Sequence, residues 1–341
     1  MPYSTTPITV IGAAILDVLA SPAGPEVFDT GSQPMNDIKL SFGGDALNEA
    51  VVLSRLGKQV QLISKVGDDE AGRQVLNYLR DNRVGTDAVR VEPELATGIN
   101  IVLIDREGER HFLTNPNSSL RRLSPEDIRP HLGKPSAAAA ASGAESSRGP
   151  CRAEAAPVVS FASMFVSPLL PVRAMEELFR QIKEQGCTLF ADMTKAKNGE
   201  TLADLRELLP RIDVLAPNES EIALLTGDPD PRENVRRLLD AGVATAVVKC
   251  GTRGCLVGDA SGITRVPAVP GIRSVDSTGA GDTFAAGYLA ALSEGRGSLD
   301  CAAYACAAAS CAVEQIGATE GVRSAEQVRE RYLRAYGGAG R

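Results

Sequence analysis

Short, continuously apolar segments alternate with amphipathic helical segments along most of this chain, and this rhythm constrains the fold more than any other feature. The apolar segments are typical of strands covered on both faces of a sheet. They occupy residues 8–15, 60–67, 157–163, 187–193, 212–218, 245–251 and 254–259. Helical patterns occupy residues 45–56, 69–82, 171–185, 219–226, 231–241, 282–293, 298–315 and 324–335. The alternation predicts an α/β fold with a doubly wound, mostly parallel sheet flanked by helices.

Two segments depart from this rhythm. Residues 28–42 and 96–115 have the pattern of antiparallel ribbons, and the second contains the turn sequence Asp-Arg-Glu-Gly at 105–108. We expect a small antiparallel β-lid formed by segments of about 14–42 and 96–118, projecting from the main sheet.

A single domain is expected to cover residues 8–335. Residues 133–157 are a low-complexity insertion dominated by Ala, Ser, Gly and Pro. Its alanine run offers no apolar face that would dock a helix, so we expect the insertion to be unordered.

Composition excludes several classes of protein. The chain has 341 residues, of which 43% are hydrophobic, so a sizeable core is available. A formal net charge of -7 argues against a nucleic-acid or anionic-membrane partner, because such partners favour a basic face. No run of about eighteen apolar residues is present, so no membrane span is expected.

Cysteines and histidines give no sign of a metal site or of disulfides. The seven cysteines form no Cys-x-x-Cys pair, and the two histidines, His111 and His131, lack metal-ligand spacing. The first apolar segment is interrupted by Gly12 and Asp17 and lacks a basic lead, which suits a strand better than a signal peptide. A reducing, cytoplasmic location is expected.

The segment DSTGAGDTFAAG, residues 276–287, combines glycines and acids at the point where an apolar helix begins. The start of a helix presents unpaired backbone N–H groups at the positive end of its dipole, and glycine lets a ligand approach closely. We interpret Gly279, Ala280, Gly281 and Asp282 as catalytic. The amides would hold a moving phosphoryl group while Asp282 accepts the proton of the attacking alcohol.

A second motif, LSFGGDALNEAVVLSRLG, spans residues 40–57. Gly43 and Gly44 follow an extended run and allow a substrate to lie against the backbone, and a helix begins near Asp45. Asn48, one turn into that helix, can donate and accept hydrogen bonds with substrate hydroxyls.

Together, the two motifs resemble the two signatures of the ribokinase-like (PfkB) family of carbohydrate kinases, in that family's order and separation. The resemblance extends from about residue 8 to 335 apart from the insertion, and it is closest to bacterial sugar kinases of unassigned substrate. It implies transfer of the γ-phosphate of ATP to a hydroxyl of a monosaccharide or sugar acid, with Mg²⁺ as cofactor.

The resemblance also implies roles for residues outside the two motifs. Asp17 stands where the family binds sugar hydroxyls. In the segment PNESE, Asn218 and Glu221 match an element that organises Mg²⁺ through water beside the nucleotide, although Asn followed three residues later by Glu is also the pattern of a helix capping box.

In the segment TAVVKCGTRG, four residues match positions that line the nucleotide in relatives: Lys249, Gly251, Thr252 and Gly254. The sequence contains no Gly-x-x-x-x-Gly-Lys-Ser/Thr loop, so a P-loop kinase is excluded.

Several positions limit what the resemblance implies about the substrate. Val166 stands where ribokinase has a glutamate, so ribose is disfavoured. Arg110 and Lys195 are candidates to face a sugar carboxylate or phosphate, against the alternative that both are solvated surface charges. Asp276 and Thr278 match positions that bind a monovalent cation, such as K⁺, in several relatives.

Two alternatives remain open. A nucleoside or vitamin kinase would use the same fold, but aromatic residues are only 4% of the chain and none is evident beside Asp17 or Asn48 to stack on a base. A catalytically inactive sugar-binding relative would be expected to lack the base or the glycine turn. The exposed edges of the lid ribbons suggest a homodimer formed through the lid.

Overall fold

The structure is a computed structural model that describes residues 7–107, 109–132 and 156–337. Nearly all of the predicted insertion at 133–157, together with Cys151 and the predicted turn residue Gly108, lies outside the described residues.

Thirteen strands are described, and most coincide with the predicted apolar segments. They are β1 Ile8–Ile11, β2 Ile15–Ser21, β3 Asp37–Gly43, β4 Val60–Gly67, β5 Val89–Glu92, β6 Ile99–Ile104, β7 Arg110–Thr114, β8 Val158–Met164, β9 Thr188–Met193, β10 Val214–Leu215, β11 Thr245–Lys249, β12 Cys255–Asp259 and β13 Gly262–Val266. Nine of them form the main sheet, in the order β13-β12-β11-β10-β9-β8-β1-β4-β5. The seven strands from β11 to β5 are parallel, and β12 and β13 add an antiparallel edge. The predicted mostly parallel, doubly wound sheet is therefore confirmed.

The described helices match all eight predicted ones to within a few residues and add one short helix. They are α1 Asp45–Arg55, α2 Glu70–Asp81, α3 Pro125–Ile128, α4 Val172–Glu184, α5 Glu219–Thr226, α6 Pro231–Asp240, α7 Ala280–Leu292, α8 Ser298–Ala312 and α9 Ala325–Tyr336. None of the helices in the described part of the chain is long and apolar enough to cross a bilayer.

The predicted strand 8–15 is wrong in one respect, because it is the junction of two sheets. The amide of Gly12 still donates to Ile63 in the main sheet at 3.1 Å, whereas the amide of Leu16 donates to Gly98 of the lid at 3.0 Å. Asp17 therefore lies inside a lid strand and not after the first strand of the main sheet. Residues on both sides of the junction are apolar, so their pattern carries no sign of the change of sheet.

The strands β5 and β13 were missed by sequence analysis. Both are short, and at least half of the positions in each are exposed. They lie at the two ends of the main sheet, where one side of each strand has no neighbour. An edge strand does not need the continuous apolar run that identifies the central strands.

The lid is a four-stranded sheet in the order β3-β2-β6-β7. The pairs β2–β3 and β6–β7 are antiparallel as predicted, but the central pair β2–β6 is parallel, so the lid is a mixed sheet. Its register places Asp17 opposite Ser41 and Asn100, and Asn100 opposite Thr114. One face of the lid thus collects polar side chains.

Close helix packing fixes the position of α7. Gly287 faces α8 so closely that an added Cβ would lie 2.9 Å from the Cα of Ala305. Phe284 and Tyr288 of α7 are buried in the same core, which also contains most of the alanines of α8. The first turn of α7, which carries Asp282, therefore starts from a rigid pair of helices.

Gly44, between β3 and α1, is expected to tolerate no side chain. Its φ is 94°, and an added Cβ would lie 2.5 Å from the carbonyl oxygen of Ala13. Gly57 also has positive φ, at 80°, but an added Cβ there meets no atom within 4 Å. We predict that Gly57→Ala lowers the free energy of unfolding by about 1 kcal/mol, whereas Gly44→Ala lowers it by about 2–5 kcal/mol.

Urea denaturation of the two variants measures this difference, since Gly57→Ala carries only the conformational cost. Equal losses in the two variants would show that the contact with Ala13 relaxes and that Gly44 is not a steric requirement.

Candidate active site

A cleft of about 560 Å³ lies between the lid and the carboxyl ends of the central parallel strands. Open α/β sheets bind ligands at this edge. The predicted site residues that line the cleft are Asp17, Gly44, Asn48, Arg110, Asn218, Glu221, Thr278, Gly279, Gly281 and Asp282. The two sequence motifs, which lie more than two hundred residues apart, therefore meet in one cavity.

The turn before α7 leaves backbone amides open toward the cleft. Gly279 is the N-cap with φ of 66°, and an added Cβ would lie 2.3 Å from the carbonyl oxygen of Ala318. Within the described chain, the amides of Gly281 and Asp282 have no hydrogen-bond acceptor. The amide of Ala280 instead donates to the carbonyl oxygen of Ser277 at 3.2 Å. Fewer amides are therefore open than the sequence predicts.

Asp282 is held by the other motif. The Nδ2 atom of Asn48 donates to Oδ2 of Asp282 at 2.7 Å. Burial raises the pKa of Asp282 well above its usual value, and the carboxylate of Asp45 raises it further, whereas Asn48 and Lys249 favour the charged form. A carboxylate in this environment is a stronger base than one in water.

Lys249 lies directly beneath the turn. Its Nζ atom would be 3.6 Å from a Cβ added at Gly281, and it forms an ion pair with Asp192 in which both side chains are largely buried. Burial lowers the pKa of Lys249, but Asp192 and Glu221 outweigh burial and raise it, so the ammonium stays charged. Open amides above a buried cation form a site for an anion.

The lid contributes Asp17 and its neighbour Asn100. The Nδ2 atom of Asn100 donates to Asp17 at 3.0 Å, and Thr114 orients that amide by donating to its Oδ1 at 3.0 Å. Burial raises the pKa of Asp17 to about 6, despite the opposing effects of Asn100 and Arg110. Gly43 makes room for this carboxylate, because an added Cβ would lie 2.2 Å from Oδ2 of Asp17.

Asn218 and Glu221 form the capping box that their spacing in the sequence predicts as an alternative. Oδ1 of Asn218 accepts from the amide of Glu221 at 2.9 Å, and Oε2 of Glu221 accepts from the amide of Asn218 at 2.8 Å. Burial raises the pKa of Glu221 to about 7, against the opposing charge of Lys249. Glu221 nevertheless lines the cleft, so capping and a role toward a ligand are compatible.

These residues fit Mg²⁺ only through water and a bound ligand. Among the described residues, no group of three or more His, Cys, Asp or Glu side chains could hold a metal ion. Mg²⁺ sites commonly combine one or two carboxylates with phosphate oxygens and water. Glu221 has one oxygen outside the capping box, so it can supply the carboxylate that such a site requires from the protein.

Asp276 and Thr278, the predicted monovalent-cation residues, are bonded to each other. Oδ1 of Asp276 accepts from the amide of Thr278 at 2.9 Å and from its hydroxyl at 2.5 Å, and Oδ2 accepts from the amide of Gly317 at 3.0 Å. Arg110 also donates to Oδ1, at 2.5 Å. Burial raises the pKa of Asp276, but these donors outweigh burial and hold it below its usual value.

Some predicted residues lie away from the cleft. Lys195 is exposed, as are Gly251 and Thr252, whereas Gly254 is buried at the start of the β12 hairpin. None of these four lines the described cleft, although Gly251 and Thr252 closely follow Lys249. Their predicted substrate and nucleotide contacts remain predictions.

Several cleft or near-cleft residues were missed as individual residues. Asp45 lines the cleft and accepts a hydrogen bond from the hydroxyl of Ser163. It directly follows the glycine pair, and this position in the motif could have identified it as a site residue. Asp192 is the next-to-last residue of a predicted strand, and an acid at that position could also have been identified as a site residue. Asn100 and Phe112 lie on lid strands and also line the cleft, but a single polar or aromatic residue in an alternating strand is not distinctive. The expectation that no aromatic lies near Asp17 is wrong, because Phe112 lines the same cleft.

Known proteins resemble this chain over most of its length. The 2-dehydro-3-deoxygluconokinase of Haemophilus influenzae is 27% identical over 281 residues, covering 78% of this chain and 84% of that protein. The structure of Arabidopsis thaliana ribokinase complexed with ribose and ATP superposes with a TM-score of 0.75 and 23% identity, covering 96% of this chain and 99% of that one. A Vibrio cholerae fructokinase double mutant in a fructose-, ADP- and potassium-bound form has a TM-score of 0.76 and 21% identity, covering 97% and 100%.

The two structural likenesses show a shared fold. The family model described as pfkB family carbohydrate kinase matches residues 5–325, which is nearly the whole chain. The protein therefore belongs to the pfkB family of carbohydrate kinases.

Proposed function

We propose that this sugar kinase transfers the γ-phosphate of ATP to a hydroxyl of a monosaccharide or sugar acid, with Asp282 as the base. One observation carries the proposal: the open amides of Gly281 and Asp282 share one cleft with hydroxyl-binding groups of the lid, Asp17 and Asn100. A site of this composition brings an anion and a polyol side by side.

Proton transfer is assigned to Asp282. The sugar hydroxyl lies between this carboxylate and the phosphoryl group, and its proton passes to Asp282 as the new P–O bond forms and the bond from the γ-phosphorus to the leaving ADP breaks. Burial and the nearby Asp45 strengthen the base, while Asn48 fixes its orientation at 2.7 Å. A fixed, strengthened base suits an acceptor alcohol whose proton leaves late in the transfer.

Stabilisation of the negative charge on the moving phosphoryl group is assigned to the amides of Gly281 and Asp282, with Lys249 beneath them. Mg²⁺ bound with ATP would neutralise phosphate charge, and Glu221 is the residue that would hold it, through water. Because the amides are fixed by the α7–α8 packing, they need little rearrangement during the reaction.

The chemistry of the cleft favours a neutral sugar over a sugar acid. Asp17, Asp45 and Asp282 all line it, and each would repel a substrate carboxylate. The cation that lines the same wall, Arg110, already pairs with Asp276. Asp17, Asn100 and Asn48 instead offer acceptors and donors that match vicinal hydroxyl groups.

The direct test is ADP production from ATP and Mg²⁺ across a panel of ketoses, aldoses and sugar acids. Sugar-dependent ADP release supports the proposal and excludes a catalytically inactive sugar-binding relative. The absence of stimulation by every member of the panel, with ATP binding intact, would contradict it.

Phe112 gives the nucleoside-kinase alternative a specific basis. This ring is 57% exposed, lines the cleft and stands on the lid face that carries Asp17. A ring in that position can stack on a base or on the apolar face of a sugar. Nucleosides therefore belong in the same panel, and the Phe112→Ala variant distinguishes the two, since loss of a stacked base weakens binding more than loss of contact with a sugar ring.

The outer face of the lid supports the proposed homodimer. Five of the apolar residues that register places on the face opposite Asp17 are exposed: Ile38 at 65%, Leu40 at 61%, Ile99 at 41%, Ile101 at 43% and Leu113 at 51%. Contiguous apolar patches of this kind mark protein interfaces. A second copy presenting the same face would bury both patches by two-fold symmetry.

We predict that Asp282→Asn lowers kcat by about 10²- to 10⁴-fold while nucleotide and sugar affinities change little, because the shape of the side chain is kept and only the base is removed. The matched control is Glu326→Gln, which removes an acid from the first turn of α9, outside the cleft. Steady-state kinetics and calorimetry make the comparison. If Asp282 serves only the helix dipole, the two variants will have similar kcat values.

Asp17→Asn is predicted to weaken sugar binding and to stabilise the fold near pH 7.5 by about 1–3 kcal/mol. The native carboxyl has a pKa of about 6, above its ordinary value of 3.8, so its ionisation destabilises the native state increasingly as the pH rises from about 4, and fully above about pH 6. The gain should fall below about 1 kcal/mol near pH 4 and vanish near pH 3, where the native and unfolded carboxyls are both largely protonated.

Thermal denaturation at several pH values measures this effect. Asp69→Asn is the control and should lower the stability of the fold near pH 7.5 instead of raising it. Hydrogen bonds from Thr97 and Gly72 outweigh burial and lower the pKa of Asp69, so its charge stabilises the native state. A gain for Asp17→Asn that persists unchanged at pH 4 would contradict the electrostatic explanation.

We predict that the wild-type chain sediments as a dimer, that Leu40→Lys makes it monomeric, and that Leu333→Lys leaves the dimer intact. Leu333 is 51% exposed but lies on α9, outside the lid. Sedimentation equilibrium measures all three proteins. A wild-type monomer, or a Leu40→Lys dimer, would rule out this interface.

A further inference from the structure

Arg110 connects the lid to the segment that leads into the phosphoryl-binding turn. Its Nη2 atom lies 2.5 Å from Oδ1 of Asp276, across 166 residues of sequence. The side chains are only 19% and 8% exposed, respectively, so the pair is shielded from solvent. Asp276 lies three residues before Gly279, which means that this ion pair acts on the backbone entering the turn.

The surroundings of Asp276 are those of a satisfied carboxylate. Oδ1 accepts hydrogen bonds from Arg110 and from the amide and hydroxyl of Thr278, and Oδ2 accepts from the amide of Gly317. These groups are all donors, and one carries a full positive charge. A monovalent cation needs oxygen lone pairs directed at it and would lie against a guanidinium here, so the residues present do not fit the cation that the family resemblance implies.

Arg110 also faces the sugar side of the cleft. Its charge acts on both Asp276 and Asp17, and it lowers the pKa of each carboxyl. Asp17 lies on β2 and Asp276 on the approach to α7. A single lid cation therefore compensates one carboxylate on each side of the reacting centre.

We propose that the guanidinium of Arg110 replaces a monovalent cation at Asp276, so that this kinase orders its phosphoryl-binding turn without K⁺. This inference rests on the proposed function, in which the turn at 279–282 binds phosphate. Because the guanidinium of Arg110 belongs to the lid strand β7, ordering of the turn is coupled to the position of the lid. Arg110 is therefore a positioning residue.

The first test measures the Tm of the full-length chain in KCl and in tetramethylammonium chloride at equal ionic strength. The wild type should give the same Tm in both salts. Arg110→Met, which keeps the length but loses the charge, should lose stability and regain at least about 2 °C with K⁺ or with millimolar guanidinium chloride, through binding to the vacated position. Arg110→Lys should behave like the wild type.

Arg106→Met is the matched control, since Arg106 lies on the same lid, is 73% exposed in its side chain and pairs with Glu26 away from the cleft. It should show no K⁺-specific change in Tm. A K⁺-specific rise in the wild-type Tm, or an Arg110→Met protein that responds to neither cation, overturns the proposal. If Arg110→Met does not fold, the salt comparison on the wild type and on Arg110→Lys still decides the question.

The second test measures the affinity for Mg²⁺ and a non-hydrolysable ATP analogue by calorimetry in the same two salts. Wild-type affinity should agree to within about twofold between the salts, whereas Arg110→Met should bind about tenfold more weakly in tetramethylammonium and recover with K⁺. The Tm test needs neither nucleotide nor sugar, so failure of the sugar panel would contradict the proposed function and leave the cation replacement to stand or fall by itself.

Discussion

The ammonium group of Lys249 is the charge around which the cleft is organised. It pairs with Asp192 below the turn that precedes α7 and acts electrostatically on Glu221, Asp45 and Asp282. Burial of so many carboxyls around one cation leaves most of them with raised pKa values, since a single positive charge cannot compensate them all. Removing that charge would leave Asp192 buried and unpaired, which is strongly destabilising in protein interiors.

This imbalance has a functional meaning in a site for phosphoryl transfer. Carboxyls that hold their protons more tightly than usual are strong proton acceptors once ionised, which is the property that the role proposed for Asp282 requires. Glu49, which follows Asn48 on α1 and is fully buried, accepts a hydrogen bond from Ser160 at 2.7 Å and adds a further acid whose pKa is raised, chiefly by burial. This concentration of buried acids makes the fold less stable than it would be with apolar residues in their place.

The central strands of the main sheet, nearly all helices and the meeting of the two motifs are predictable from the sequence, because the strands and helices have strong patterns and the motifs contain unusual glycine and acid spacings. The edge strands β5 and β13 lack such a pattern. The change of sheet between Ile11 and Ile15 was not found, since both strands are apolar. Asn100 and Phe112 were also missed, because their roles depend on lid register. Pairing of Arg110 with Asp276 is a contact between distant segments, and neither residue carries a local sign of its partner.

The lid sheet has two faces with separate tasks, and strand geometry ties them together. Side chains alternate between the faces, so Asp17 points into the cleft while its neighbour Val18 belongs to the apolar side. A one-residue insertion or deletion within β2 would exchange the faces beyond it and move Asp17 out of the cleft. Length changes in this strand must therefore come in steps of two residues, and lineages that alter the substrate or the partner can do so by substitution on one face without disturbing the other.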